Sequence, residues 1–321
     1  MRKLFFVLVA LGAQAAFPGD ARFNGRWDIT GYSEPRNRAW WLEITGAETD
    51  APKGKFVTAF NGDMNVIEEL TTGPGELVFG FRPKERPRPG ETPRPPRHLV
   101  YKARLVGDGL EGTFEVEGQQ RPPLKWVGVR APVIRDQDDG TWKEGKPVRL
   151  FSGRSLDGWR AADGGAVSGW AVENGSLATT GKGVNIVSAA KFWNFKLHLE
   201  FKVAEHSNSG VGLRARYEVQ VIDDYGRPAG THTNGALYAR IPPAENASRP
   251  AGEWQTYDIR LVGRQVTVVL NGKTVIEKGE VEGLTAIAVD SREAEPGPIY
   301  LQGDHGPVEF RNIVVTPLVK R

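Results

Sequence analysis

Strict alternation of apolar and polar residues marks the middle of the chain. Over Phe195–Val203, Phe195, Leu197, Leu199, Phe201 and Val203 fall on one side and Lys196, His198, Glu200 and Lys202 on the other. This is the period-two signature of a half-buried strand. A turn at 206–210 follows. Beyond it Val211 and Leu213 continue the apolar face while Gly210, Gly212 and Arg214 take the other; then Tyr217, Val219 and Val221 alternate with Glu218 and Gln220. If the three strands share one sheet, its polar face gathers His198, Glu200, Arg214, Glu218 and Gln220, and the two glycines leave it open above Arg214. Solubility alone seldom requires that mixture of acid, imidazole, guanidinium and amide.

Toward the N-terminus, short strand-like runs recur. One opens at Gly25-Arg26-Trp27, and others lie at 39–45, 55–60, 65–70, 76–81, 98–105, 109–116 and 123–129, joined mostly by tight polar turns. Eight such strands predict a small β-barrel or β-meander domain over 21–130. The Gly-Arg-Trp opening resembles the start of lipocalin-like barrels, in which the tryptophan closes one end. Trp27, Trp40 and Trp41 are read as core or barrel-end packing rather than as a sugar-stacking platform. The segment 82–97, dense in proline and arginine, is expected to be an extended, solvated loop. No chemistry is assigned to this domain. Residues 131–146 read as a linker.

In the C-terminal part, runs at 254–262, 265–270 and 273–278 form a meander whose Asn271-Gly272 pair is a hairpin signal, and 308–316 supplies a closing strand. The whole chain is therefore predicted to be all-β, with a sandwich in its second half. Composition agrees: 39 glycines and 22 prolines punctuate short strands in a chain of 321 residues.

Charge and cysteine content narrow the function. The formal charge of +3 would fall to about +1 once Arg2 and Lys3 were removed, which gives no reason to expect nucleic acid as a partner. The chain has no cysteine, so thiolate chemistry, disulfides and a cysteine-linked lipid anchor are excluded. Residues 1–16 have the layout of a secretory signal peptide: two basic residues, an apolar run too short to span a bilayer, then small residues around Ala13-Gln14-Ala15. The expected address is exported, periplasmic or secreted, with no integral membrane segment in the mature chain.

From 147 to 321 an ordered set of motifs carries a resemblance. It comprises the Leu150–Trp159 opening, Asn208-Ser209-Gly210-Val211, Tyr217-Glu218-Val219-Gln220, Gly235-Ala236-Leu237-Tyr238, Asn271-Gly272, Leu301-Gln302 with His305, and Phe310-Arg311-Asn312-Ile313. Together they resemble the 3-keto-disaccharide hydrolase domain. The resemblance implies a concanavalin A-like jelly roll with a concave polar face, and action on glycosides whose C3 hydroxyl has been oxidised to a ketone. Such a carbonyl acidifies the C2 proton, so a base can remove it and the C1 substituent can leave; water addition afterwards gives net hydrolysis. The resemblance implies Glu218 as that base, Arg214 or a bound cation at the enolate, and His305 as proton donor or sugar ligand. Glu200 is a second candidate acid or base, and Asn208, Gln220, Asp223, Tyr238 and Gln302 are candidate hydroxyl-binding residues.

Oxygen and nitrogen groups on Glu200, Glu218, Asp223, His198 and His305 leave a divalent cation, calcium or similar, open, although no HExxH spacing occurs. His98, His206 and His232 are read as surface residues. The main rival is a non-catalytic carbohydrate-binding, laminin-G-like module. The alternation turns Phe195, Phe201 and Tyr217 inward and leaves carboxylates outside, which favours an enzyme. An ordinary glycosidase would pair Glu200 with Glu218. No GxSxG elbow of a serine hydrolase is present.

Overall fold

The computed structural model describes residues 19–32, 38–58, 62–83 and 97–320. The expected leader at 1–16 and most of the proline- and arginine-rich segment lie outside these. Among the described residues the only helical element is a 3-10 turn, Ala21–Phe23; everything else regular is β.

Among the described residues the first domain has nine strands: β1 Gly25–Gly31, β2 Arg38–Thr45, β3 Lys53–Val57, β4 Met64–Val66, β5 Glu69–Gly73, β6 Glu76–Phe81, β7 Leu99–Val106, β8 Gly109–Val116 and β9 Leu124–Arg130. The single run read at 65–70 is thus two strands. They form one antiparallel sheet in the order β4-β3-β2-β1-β9-β8-β7-β6-β5. Its two edges are joined by Ile67 and Glu68, whose N–H groups donate to Gly54 O (2.9 Å) on β3 and Gly80 O (3.2 Å) on β6. The sheet is thereby closed into a barrel. Aromatic rings fill it: Trp40 meets Tyr101 at 5.8 Å between centroids, and Tyr101 stacks on Phe79 at 4.7 Å.

Neighbouring residues on a strand point oppositely, so while Trp40 fills the barrel, Trp41 leaves it. Trp41 is nonetheless fully buried and belongs, with Ala39 and Val57, to the core of the second domain. The connecting segment is pinned rather than loose. Asp138 makes a two-pronged ion pair with Arg260 (2.7 and 2.8 Å), and Asp136 accepts from Trp193 Nε1 and Asn194 Nδ2, both at 2.8 Å.

The second domain is a two-sheet antiparallel sandwich. Its strands are β10 Lys143–Glu144, β11 Val148–Arg149, β12 Trp159–Ala161, β13 Trp170–Glu173, β14 Ser176–Thr180, β15 Ile186–Phe192, β16 Phe195–Val203, β17 Asn208–Leu213, β18 Tyr217–Ile222, β19 Gln255–Val262, β20 Gln265–Leu270, β21 Lys273–Glu280, β22 Gly297–Leu301 and β23 Pro307–Val319. The larger sheet runs β13-β14-β23-β16-β19-β20-β21, with β10 and β11 also on β23; the smaller runs β12-β15-β22-β17-β18. Apolar faces of β16 (Leu197, Leu199, Phe201) and of β17 and β18 (Val211, Val219, Val221) meet in one core. This is the sandwich that the strand pattern predicts, in the jelly-roll form that the resemblance implies.

One expectation fails here. β16 pairs with β19 and β23, not with β17. The chain crosses from one sheet to the other at the turn before β17, so the outward residues of β16 and of β18 point to opposite sides of the sandwich.

Candidate active site

The smaller sheet carries the candidate site on its outer face. In register, Gly212 lies opposite Glu218 on one side and Tyr300 on the other, and Gly210 lies opposite Gln220. Gly210 O accepts the Gln302 N–H at 3.0 Å, extending the ladder by one row. Directly opposed residues share a face, so Glu218, Gln220, Tyr300 and Gln302 project together, away from the core, around two positions without side chains. The Glu218 carboxyl fills the gap: a β-carbon on Gly210 would stand 2.3 Å from Oε1.

Glu218 is 3% exposed, and no protein group among the described residues donates to its carboxylate. Burial, and then the negative charge of Asp304, push it up to about 8. Its backbone is held tightly. Its N–H donates to Thr285 Oγ1 (3.0 Å), and its carbonyl accepts from Tyr238 N–H (2.9 Å). Around it Gln220 Oε1, Gln302 Oε1 and Asn208 Oδ1 are all buried without a donor. Buried polar atoms are normally satisfied, so three free acceptors beside one carboxyl make a surface suited to a ligand rich in hydroxyl donors.

The strand-end loop after β22 adds Asp304, whose Oδ1 meets His305 Nδ1 at 2.6 Å and whose Oδ2 accepts from Asn185 Nδ2 at 3.2 Å. His305 is an exposed rim residue on this side. Tyr238 lies on a loop along the open edge of β18; its ring stands edge-on to His232 at 4.7 Å. His232 is not a free surface residue. Its Nε2 meets Asp63 Oδ1 of the barrel at 2.6 Å, and its carbonyl accepts from Gln220 Nε2 at 3.4 Å.

Four expected members are elsewhere; His198 lies on the larger sheet, its Nδ1 2.7 Å from Asp258 Oδ1. Glu200 faces out from the larger sheet, where Arg311 Nε donates to Oε2 at 2.7 Å and Asn312 Nδ2 to Oε1 at 2.5 Å. Burial opposes its charge, but those donors hold it below the ordinary carboxylate range. It cannot pair with Glu218 across the intervening core. Arg214 is fully buried. The strand ends at Leu213, and Arg214 and Ala215 take left-handed backbone (φ 53° and 52°), which breaks the alternation. The guanidinium therefore lies 3.8 Å over the Trp193 ring, with Nε donating to Trp193 O (2.7 Å) and Nη2 to Asn194 Oδ1 (3.1 Å). Asp223 is a turn residue: its Oδ2 accepts the His206 N–H at 2.8 Å. Sequence reasoning missed Asp304, although it stands beside His305 in Gly-Asp-His-Gly. It also missed Thr285, Asn185 and the barrel's Asp63, which carry no local signal.

Among the described residues no group of three or more His, Asp or Glu is gathered as a metal site would need. Beside Glu218 the neighbouring amide oxygens are uncharged and Asp304 is tied to His305 and Asn185, a set poor in the free carboxylates that a tightly held divalent ion takes.

The model of the 3-keto-alpha-glucoside-1,2-lyase-like domain matches residues 146–316, and the chain belongs to that family. A curated relative from Bacteroides thetaiotaomicron, the 3-keto-disaccharide hydrolase, is 28% identical over 166 residues, 40% of this chain and 57% of that protein. The chain thus spans little more than half of that relative's length. Among solved structures, one from Parabacteroides distasonis assigned as a glycosyl hydrolase is 22% identical with a TM-score of 0.45, covering 54% of this chain and 94% of that one. The carbohydrate-binding module CBM66 from Bacillus subtilis is 14% identical with a TM-score of 0.34, covering 49% and 93%. The matched family region is the sandwich; the barrel lies outside it.

Proposed function

We propose that this chain is an exported glycoside-degrading enzyme that acts on 3-keto glycosides or disaccharides, with Glu218 as the base at C2. The observation that carries the reading is the Glu218 carboxyl itself, buried over Gly210 without a donor and raised to about 8. A group with its pKa near neutrality is the most effective proton acceptor at working pH. The C2–H bond breaks toward Glu218 and its electron pair moves onto the C3 carbonyl oxygen. The enolate returns its electrons, the C1–O bond breaks, and the aglycone leaves carrying a proton. Water added across the resulting double bond completes a net hydrolysis.

With Arg214 turned away, the donors on this face are the side-chain amides of Asn208 and Gln302 and, at the rim, His305. His305, paired with Asp304, is the donor proposed for the leaving oxygen's proton. Gln220 and Tyr238 frame the sugar ring. An ordinary glycosidase would need a second carboxyl flanking the bond; Glu200 is on the opposite face, held by Arg311 and Asn312, and Asp304 is already tied to His305 and Asn185.

The test is aglycone release from a 3-keto glucoside and from its unoxidised parent, with and without chelator. Release from the keto sugar alone is expected. Equal release from both would overturn the reading, and binding of both without release would make the chain a carbohydrate-binding module.

A further inference from the structure

The barrel carries no role in the reading above, yet two of its strand ends reach the site. At one side Asp63, just before β4, holds His232. At the other, Arg38 opens β2 and enters a cleft of about 260 Å³, whose other walls are Asp163, Val184, Asn185 and Asp304 of the sandwich. Register places this cleft. Ile186 pairs with Leu301, so Asn185 falls in the row of Gln302 and Gly210. At about 4.8 Å per strand step, it lies roughly 10 Å across the sheet from the Glu218 carboxyl. The cleft therefore lies along the outer face from the carboxyl, beyond Gln302.

We propose that the barrel builds the second sugar subsite of this enzyme, with Arg38 as a substrate-binding residue for the ring next to the one that reacts. This rests on the catalytic reading of Glu218. Chemistry sets the occupant. Arg38 brings a planar guanidinium to the lining and Asp163 and Asp304 bring carboxylate acceptors, while the Asn185 amide is fixed by Asp304 Oδ2 and the Gly303 N–H; donors and acceptors side by side suit a vicinal diol of a neutral sugar. With two carboxylates and one guanidinium in the lining, a uronate is disfavoured. The barrel is also fixed in place, as a subsite wall must be. Trp41 is sunk in the sandwich core, where a β-carbon on Gly283 would stand 2.1 Å from its Nε1. Thr30 Oγ1 meets Ser291 Oγ at 2.6 Å, and Lys55 Nζ meets Glu282 at 3.3 Å.

The experiment is calorimetric titration of the full chain, and of its Arg38→Ala, Arg38→Lys and Asp163→Ala variants, with a neutral glucose disaccharide and with methyl glucoside. Thermal melts check that each variant is folded. The wild type is expected to bind the disaccharide at least about tenfold more tightly than methyl glucoside, in line with one good charge-assisted contact set. Arg38→Ala should lose that advantage and leave methyl glucoside within twofold, and Arg38→Lys should recover only part of it. Equal binding of the two sugars by the wild type, no binding of either, or an unchanged preference in Arg38→Ala would overturn the subsite. Turnover of a 3-keto disaccharide is read separately. Release with an unchanged preference in Arg38→Ala sinks the subsite and spares the function, whereas discrimination without release sinks the function and spares the subsite.

Discussion

The Glu218 carboxyl lies over Gly210 on the neighbouring strand, so close that a β-carbon there would come within 2.3 Å of Oε1 and 3.1 Å of Cδ. The glycine's backbone is ordinary strand and would accept alanine. What it provides is space for the carboxyl. Gly210→Ala is therefore expected to keep the fold and displace the base. Misplacement by about an ångström can cost on the order of 100-fold, so kcat should fall by that order while the circular dichroism spectrum and melting temperature stay near wild type. Wild-type kcat in Gly210→Ala would mean the carboxyl does not work from this position.

The pH profile reports the same group. Glu218 must be ionised to take a proton, and burial with the charge of Asp304 puts it up to about 8, so kcat/KM should rise with pH through that region. Asp304→Asn removes the neighbouring charge and should move the inflection to lower pH. An inflection in the ordinary carboxylate range, about 4, would contradict a buried base.

The barrel's hold on the Tyr238 loop is testable through Asp63. Its 2.6 Å contact with His232 fixes the loop that carries Tyr238 beside β18. Asp63→Ala should raise KM several-fold with kcat within about twofold, at a stability cost near 1 kcal/mol typical of one lost hydrogen bond. A change confined to melting temperature, with KM unmoved, would make the contact purely structural.

A buried acid lies at the domain boundary. Asp28 on β1 has both carboxylate oxygens buried without a donor, and Arg264 forks onto Glu293 beside it at 2.7 Å to each oxygen. Burial, and then the charge of Glu293, hold the Asp28 carboxyl well above the usual carboxylate range. The folded chain thus keeps a proton that the unfolded chain gives up, so this group's contribution to stability falls as pH rises above the ordinary range. Asp28→Asn, neutral at every pH, should flatten the decline in melting temperature between pH 5 and 8. An equally steep decline in the variant would contradict a protonated Asp28.

How far the sequence carries depends on the range of each interaction. Alternation within β16, β17 and β18 identifies each strand and its inward face, because side-chain direction is a local property. It does not say which strands pair, and that is why Glu200 and His198 were expected beside Glu218 and instead face the other side of the sandwich. Arg214 failed for a different local reason: two consecutive non-glycine residues in left-handed backbone reverse its direction, and nothing in Arg-Ala-Arg announces that. That Glu218 and Gln220 share a face is legible from the alternation, and that Gln302 joins them follows from the register of the smaller sheet. Asp63 and Arg38 were not legible, since they reach the site only through the docking of one domain on the other, 169 residues apart in the case of Asp63 and His232.

The central claim is that the carboxyl over Gly210 removes the C2 proton. Aglycone release from a 3-keto glucoside by wild type and by Glu218→Gln, each shown to be folded and to bind the sugar, tests it most directly. A loss of about 10²–10⁴-fold in kcat with binding retained is predicted. Undiminished turnover in Glu218→Gln would show that the proton goes elsewhere.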